Sequence, residues 1–234
     1  MSYRRLAGLA RTRPGHTRPT RCAAPDVPQP DQEAGHAAGC GLGDLTGSLH
    51  ISHRPKTTGT IIDKLRRHGE SMPLHSMQDL AGFRVVGAFS FPKQDELAAE
   101  VCRRFPADPR EPRIRDRRAD PSYGYRAVHV IVSLDDVTIE VQVRTVVQHL
   151  WADLMERIAD RLGRGIRYGE PPVPPAGTTM EAAEIIVRAM IAISDEWAED
   201  APDIPPDVVD SLEEVTERLW SGVAGSLAGH GIDL

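Results

Sequence analysis

Between Gly124 and Thr145 the chain reads GYRAVHVIVSLDDVTIEVQVRT. In its second half Thr138, Glu140, Gln142 and Arg144 alternate with Ile139, Val141 and Val143. A period of two sends alternate side chains to opposite faces of a strand. Val128 to Leu134 reads as a partner strand, with Asp135 and Asp136 as the two-residue turn between them. In that register Leu134 faces Val137, Ile131 faces Glu140 and His129 faces Gln142, and cross-strand partners share a face. One face then carries His129, Glu140, Gln142 and Arg144. The other carries Val128, Val130, Val132, Ile139, Val141 and Val143. A carboxylate, an imidazole, an amide and a guanidinium on one sheet face suit metal-assisted chemistry on a charged substrate. A solvated outer face would show the same alternation.

The elements around this hairpin are also readable. TTGTIIDKLRRHG, from Thr57, predicts a helix that stops at Gly69. AGFRVVGAF predicts a strand, and Pro92 opens a helix to about Phe105. A Pro- and Arg-rich connection over 106–122 contains RIRDR, a short strand with Arg113, Arg115 and Arg117 on one side. After the hairpin, Val147, Leu150, Leu154 and Ile158 recur at helical spacing, which predicts a helix from about Val146 to Leu162. PPVPPAG at 171–177 interrupts the chain, and two helices follow at about 179–198 and 206–228. The fold class is therefore α/β or α+β: a mixed central β-sheet flanked by helices, with C-terminal helices appended. The expected organisation is a disordered or atypical segment over 1–50, the α/β domain over 51–170, and a Pro-rich linker with helices over 171–234.

The 234 residues carry 40% hydrophobic content, enough for a core, and a net charge of −6. The charge is uneven: the middle, from Arg54 to Arg126, leans basic, and Asp195 to Glu217 is strongly acidic. A basic middle suits a phosphate-bearing ligand. Of the 28 Lys and Arg residues only Lys56, Lys64 and Lys93 are lysine. Two of these lie close together, and lysine is a compact charge suited to phosphate oxygens. Cys22, Cys40 and Cys102 are widely spaced and form no CxxC, so neither a zinc site nor a disulfide framework is indicated. With no apolar run near the roughly 20 residues of a membrane span, a cytoplasmic protein is expected.

Four segments, RPKTTGTIIDK (54–64), MQDLAGFRVV (77–86), GYRAVHVIV (124–132) and IEVQVRT (139–145), follow one another in an order and spacing that resembles the RelA/SpoT-type synthetase domain. Among its members the chain is most similar to the small, single-domain alarmone synthetases. The resemblance spans about residues 54–170 and implies a nucleotidyltransferase-like synthetase fold. It also implies a pyrophosphokinase that moves the β,γ-pyrophosphate of ATP to the ribose 3′-hydroxyl of GDP or GTP, making (p)ppGpp. By the same resemblance, Arg54 and Arg84 sandwich the adenine and Lys56 and Lys64 contact phosphates. His129, Gln142 and Arg144 line the phosphates and ribose, and Tyr125 stacks the acceptor base. Asp79 and Glu140 hold Mg²⁺, the implied cofactor, and Glu140 helps deprotonate the attacking hydroxyl. The sequence has no His-Asp dipeptide, so hydrolysis of the product is not expected.

One loop departs from the family. Where Lys-Pro-Asn is common, this chain has Asp120, Pro121, Ser122 and Tyr123. Arg117 and Arg118 are the nearest substitutes for the missing lysine, and Tyr123 adds a second aromatic beside Tyr125. The altered loop resembles a toxic branch of small synthetases, which implies the tRNA 3′ end as an alternative acceptor and an antitoxin as a partner. A base-binding remnant without activity is a third reading. The C-terminal helices are a candidate route to a homo-oligomer.

Overall fold

The computed structural model describes residues 20–21, 49–53, 62, 81–105, 110–134, 137–198, 204–205, 207–229 and 232. Its strands are β1 (Thr20–Arg21), β2 (Leu49–His53), β3 (Ala81–Gly87), β4 (Arg113–Asp116), β5 (Val128–Leu134) and β6 (Val137–Thr145). Its helices are α1 (Phe91–Arg104), α2 (Val146–Leu162), α3 (Met180–Glu196), α4 (Asp207–Asp210) and α5 (Leu212–Gly229), with a 3₁₀ segment at Arg164–Tyr168. The strands form one sheet in the order β1-β4-β5-β6-β3-β2. β3 and β6 run parallel and the other neighbours antiparallel. This is a mixed sheet with helices, an α+β fold, as the sequence predicts.

The hairpin register is the predicted one: Leu134 pairs with Val137, Ile131 with Glu140 and His129 with Gln142. Residues 135–136, the expected turn, lie outside the described residues. The apolar face also matches. Val128, Val130, Val132, Ile139, Val141 and Val143 join Val85 and pack against Leu97, Ala98 and Cys102 of α1. β-Branched side chains suit this pleated surface, and alternation leaves the opposite face to the polar set.

At Thr145 the chain passes from strand to helix with no linker. The Thr145 hydroxyl accepts from the Gln148 N–H at 3.3 Å, and the Gln148 Oε1 accepts from the Thr145 N–H at 3.2 Å. This capping box satisfies two donors of the first turn. Fully buried Gln94 donates to both the Val143 carbonyl and the Gln148 Oε1, each at 2.8 Å, and so fastens α1 to the same junction. α2 buries Trp151, Met155, Ile158 and Leu162 against Ala183, Ile186, Val187 and Met190 of α3. Arg157 of α2 pairs with Glu217 of α5.

Some expectations meet a different structure. Thr20–Arg21 and the beginning of Leu49–His53 are strands, paired with β4 and β3, although both fall in the stretch expected to lack structure. Their pairing partners are distant in sequence, and so short a strand has no period to read. The second C-terminal helix is two helices separated at Ser211. Cys102 is disulfide-bonded, where the cysteine spacing indicated no disulfide, and its partner lies outside the described residues. Pairing follows proximity in space, which wide spacing does not reveal. The predicted helix from Thr57 falls outside the described residues except for helical Ile62. No helix among the described residues is long and apolar enough to cross a membrane.

Candidate active site

Five strands contribute one cross-strand row of polar side chains. Arg115 of β4 pairs with His129 of β5, His129 with Gln142 of β6, Gln142 with Arg84 of β3, and Arg84 with Ser52 of β2. One step along the same face, Glu140 lies between Ile131 and Gly82.

The predicted hairpin residues touch one another. The His129 Nδ1 is 2.9 Å from a Glu140 carboxylate oxygen. The other carboxylate oxygen accepts from the Gln142 Nε2 at 2.9 Å. The Gln142 Oε1 in turn accepts from Arg144 at 2.7 Å. Arg144 also donates to the Tyr125 hydroxyl at 2.9 Å, and that hydroxyl is 2.8 Å from the His129 Nε2. Tyr125, His129, Glu140, Gln142 and Arg144 therefore close a ring of hydrogen bonds. The Arg144 guanidinium lies 5.1 Å from the Tyr125 ring centroid, within cation–π range.

Burial makes the protonation of this ring consequential. It disfavours charge on His129, but Tyr125 and Glu140 outweigh it and raise the imidazole to about 9. Burial likewise opposes ionisation of Tyr125, while Arg144 and His129 draw its phenol below the usual value. His129 thus presents an N–H to Glu140 at neutral pH and orients the carboxylate.

A second group lies beyond Arg144. His149, in the first turn of α2, is buried, and burial together with Arg144, Arg84 and His50 lowers its pKa to about 3. Its Nδ1 is buried and makes no hydrogen bond among the described residues.

The entry to the ring is a tight turn. Ser122 and Tyr125 bridge with two backbone hydrogen bonds, N–H to O at 3.3 and 3.1 Å. Tyr123 and Gly124 between them have φ of 51° and 84°, the positive pair of a type I′ turn. Tyr123 is half-exposed, with its ring against Gly169. Gly124 is required twice, since a Cβ there would also lie 2.7 Å from Trp151.

The two arginines offered for the missing lysine separate. Arg117 pairs with Asp120 at 3.5 Å, next to the turn. Arg118 is committed elsewhere: Asp116 holds it at 2.7 Å, and Asp95 and Gln94 of α1 bind it as well. It lies beyond the end of β4, and its partners on α1 draw it to the helix side of the sheet, away from Glu140. Arg115 is placed by the sequence on the same side as Arg117 but given no role in the site. It is exposed, shares the row of His129, and feels Arg117, Glu140 and Asp120. Burial and Arg117 push its pKa down against the pull of the two carboxylates. The R-x-R alternation in RIRDR was the available signal. Arg54, Lys56, Lys64 and Asp79 lie outside the described residues. A separate small apolar pocket, lined by Phe91, Arg126, Trp151 and Trp197 among others, includes none of the predicted site residues.

Comparison with known proteins places this face in a family. Residues 53–159 match a model described as a region found in RelA / SpoT proteins. That stretch belongs to the RelA/SpoT family. The RelA/SpoT region contains the complete ring from Tyr125 to Arg144. The chain is 43% identical over 124 residues to an uncharacterized protein of Mycobacterium tuberculosis, Rv1366, covering 53% of this chain and 44% of that one. It thus spans less than half the length of this relative. It is 28% identical over 149 residues to the GTP pyrophosphokinase YwaC of Bacillus subtilis, covering 58% of this chain and 67% of that protein. A solved structure of a GTP pyrophosphokinase family protein from Streptococcus pneumoniae aligns with a TM-score of 0.45 at 24% identity, over 70% of this chain and 78% of that one.

Proposed function

We propose that the RelA/SpoT region is a pyrophosphokinase that transfers the β,γ-pyrophosphate of ATP to the ribose 3′-hydroxyl of GDP or GTP. The observation that carries this reading is the state of Glu140. One of its oxygens is fixed by His129 and the other by Gln142, inside the region shared with the family. In the proposed reaction the acceptor hydroxyl oxygen bonds to the β-phosphorus, the bond from that phosphorus to the α-phosphate oxygen breaks, and AMP leaves. Glu140 takes the hydroxyl proton. Such transfer depends on positioning and charge neutralisation more than on covalent chemistry.

The two edges of the row suit the two substrates. Arg84, on the β3 side, is assigned to ATP, and Arg115 and Arg117, on the β4 side, to the acceptor phosphates. Magnesium is the expected cofactor. Glu140 is a hard oxygen donor, and its β3 neighbour Gly82 has no side chain to crowd it, which fits an ion that prefers one or two carboxylates plus phosphate oxygens and water. Asp79 would be the second carboxylate. A bound ion would neutralise phosphate charge. The relationship to YwaC, a GTP pyrophosphokinase, supports the same reading.

A second reading, the 3′ end of an RNA as acceptor, is favoured by Tyr123, which stands 43% exposed at the turn before Tyr125. Bases stack on such rings without sequence preference. One assay separates these readings. Purified protein with Mg²⁺ and ATP labelled at the β- or γ-phosphate is offered GDP, GTP and bulk tRNA in separate reactions. Label on GDP or GTP is the expected result, and label on tRNA alone would replace the first reading with the second. Transfer is expected to stop when EDTA is added.

A further inference from the structure

We infer that the end of α3 is a positioning element for the acceptor side of the site, and that Arg126 is the residue through which it acts. The inference rests on the proposed function for its kinetic consequence but not for its structural one. The turn at Tyr123–Gly124 is held from outside its own strand. Ser194 of α3 donates its hydroxyl to the Gly124 carbonyl. Arg126 donates from its Nε to the Ser194 carbonyl and hydroxyl, each at 3.2 Å, and from another nitrogen to Asp195 at 2.7 Å. It also donates to the Arg118 carbonyl, which ties the connection after β4 to the same point.

The approach is close enough that a side chain at Gly124 would force its neighbours to shift. A Cβ there would meet not only Trp151 but also the Ile191 backbone of α3, at 3.4 Å. Trp151 is itself bonded to α3, through its indole N–H to the Met190 carbonyl at 2.7 Å. The ring of Tyr123 closes the third side, packed so tightly on Gly169 that a Cβ there would fall 2.1 Å from it. Apart from Trp151, these contacts come from residues beyond 159, where the family match ends.

A non-glycine residue at φ 51° is costly and persists only where its surroundings over-determine it. Here the surroundings are α3, α2 and the 3₁₀ segment. The turn sets Tyr125, and the Tyr125 hydroxyl is bonded to both His129 and Arg144. A continuous path of contacts therefore runs from Asp195 and Ser194 through Arg126 and Gly124 to Tyr125 and on to the Glu140 carboxylate. Arg126 does not join the ring of hydrogen bonds around Glu140. Its side chain faces the small pocket beside Trp151 and Trp197. It acts on the reaction only through the turn.

The test uses the full chain and compares wild type with Arg126→Ala, Arg126→Lys and Ser194→Ala. Hydrogen exchange is followed by mass spectrometry in the segment 122–129, with 139–145 as the internal reference. Loss of the charged hydrogen bonds is expected to speed exchange in 122–129 about tenfold in Arg126→Ala, with Arg126→Lys intermediate and the reference unchanged. Acceptor KM is expected to rise about tenfold while ATP KM stays within about twofold. Exchange in 122–129 equal to wild type would overturn the inference, as would an equal loss for ATP and acceptor. If wild type transfers label to no acceptor, the proposed activity fails, and the exchange result still decides whether α3 holds the turn. Ser194→Ala, which removes a single hydroxyl, serves if Arg126→Ala does not fold, with the same segment-specific acceleration expected.

Discussion

The imidazole Nδ1 of His129 lies 2.9 Å from the carboxylate of Glu140, across two adjacent antiparallel strands and with both side chains largely buried. They are diagonal neighbours on one face, since His129 pairs directly with Gln142. The contact fixes one oxygen of Glu140 against a neighbouring strand, where a solvated outer face would leave it to water. In the proposed reaction Glu140 would face the acceptor hydroxyl, held directly by His129 and Gln142, with Arg144 and Tyr125 closing the ring behind them.

Glu140→Gln keeps the shape of this side chain and removes its charge and basicity. Transfer of labelled pyrophosphate is expected to fall by about 10²–10⁴-fold, with a circular-dichroism melt close to wild type. A wild-type rate from a folded variant would remove Glu140 from its role as base.

Arg115 and Arg118 differ in face, so their variants should differ in kind. Arg115→Ala is expected to raise acceptor KM with little change in melting temperature, because the side chain is exposed on the Glu140 side. Arg118→Ala leaves Asp116 and Asp95 without their partner, and its expected signature is lost stability with acceptor KM preserved. Steady-state kinetics beside a thermal melt distinguishes the two, and a reversed pattern would mean the faces are misassigned.

His149 should make the fold acid-sensitive. Its folded-state pKa is about 3, well below an ordinary imidazole. Between about 6.5 and 3 the unfolded chain therefore binds a proton that the folded protein refuses. Stability is expected to be flat above about pH 6.5 on this account and to fall as pH drops, by up to about 1.4 kcal/mol per pH unit. Urea denaturation from pH 4 to 7 should show this slope in wild type and a shallower one in His149→Gln. Equal slopes would show that His149 is free to protonate in the folded state.

Gly124→Ala combines a strained φ of 84° with a Cβ 2.7 Å from the Trp151 ring. The expected cost is about 1–3 kcal/mol of stability. Quenched or shifted Trp fluorescence would accompany it, because Trp151 must move. An unchanged melt and spectrum would mean that the turn tolerates a side chain.

The hairpin was legible because everything that defines it is local. Alternation in 138–144 and the two-residue gap after Leu134 are enough to derive both the register and the polar face, and the apolar partners of β5 and β6 follow from the same parity. The difference between Arg115 and Arg118 was not legible. RIRDRR offers several arginines in one short run, and only the seating of β4 beside β5 turns Arg115 toward Glu140 and Arg118 toward Asp95. Tyr125 shows the same limit. The family resemblance implies a stacking surface for the acceptor base, whereas the contacts of its hydroxyl within the ring and of Arg144 against its face are visible only in the fold.

By itself the sequence determined which side chains share a strand face, because a period of two leaves no other choice, and through its motifs it determined the family of residues 53–159. Tertiary structure alone decided what those side chains are bonded to. The closure of the ring from Tyr125 to Arg144, the depressed pKa of His149 and the grip of α3 on Gly124 each join groups from elements distant in the chain. Their strength comes from burial, which no local pattern of residues specifies.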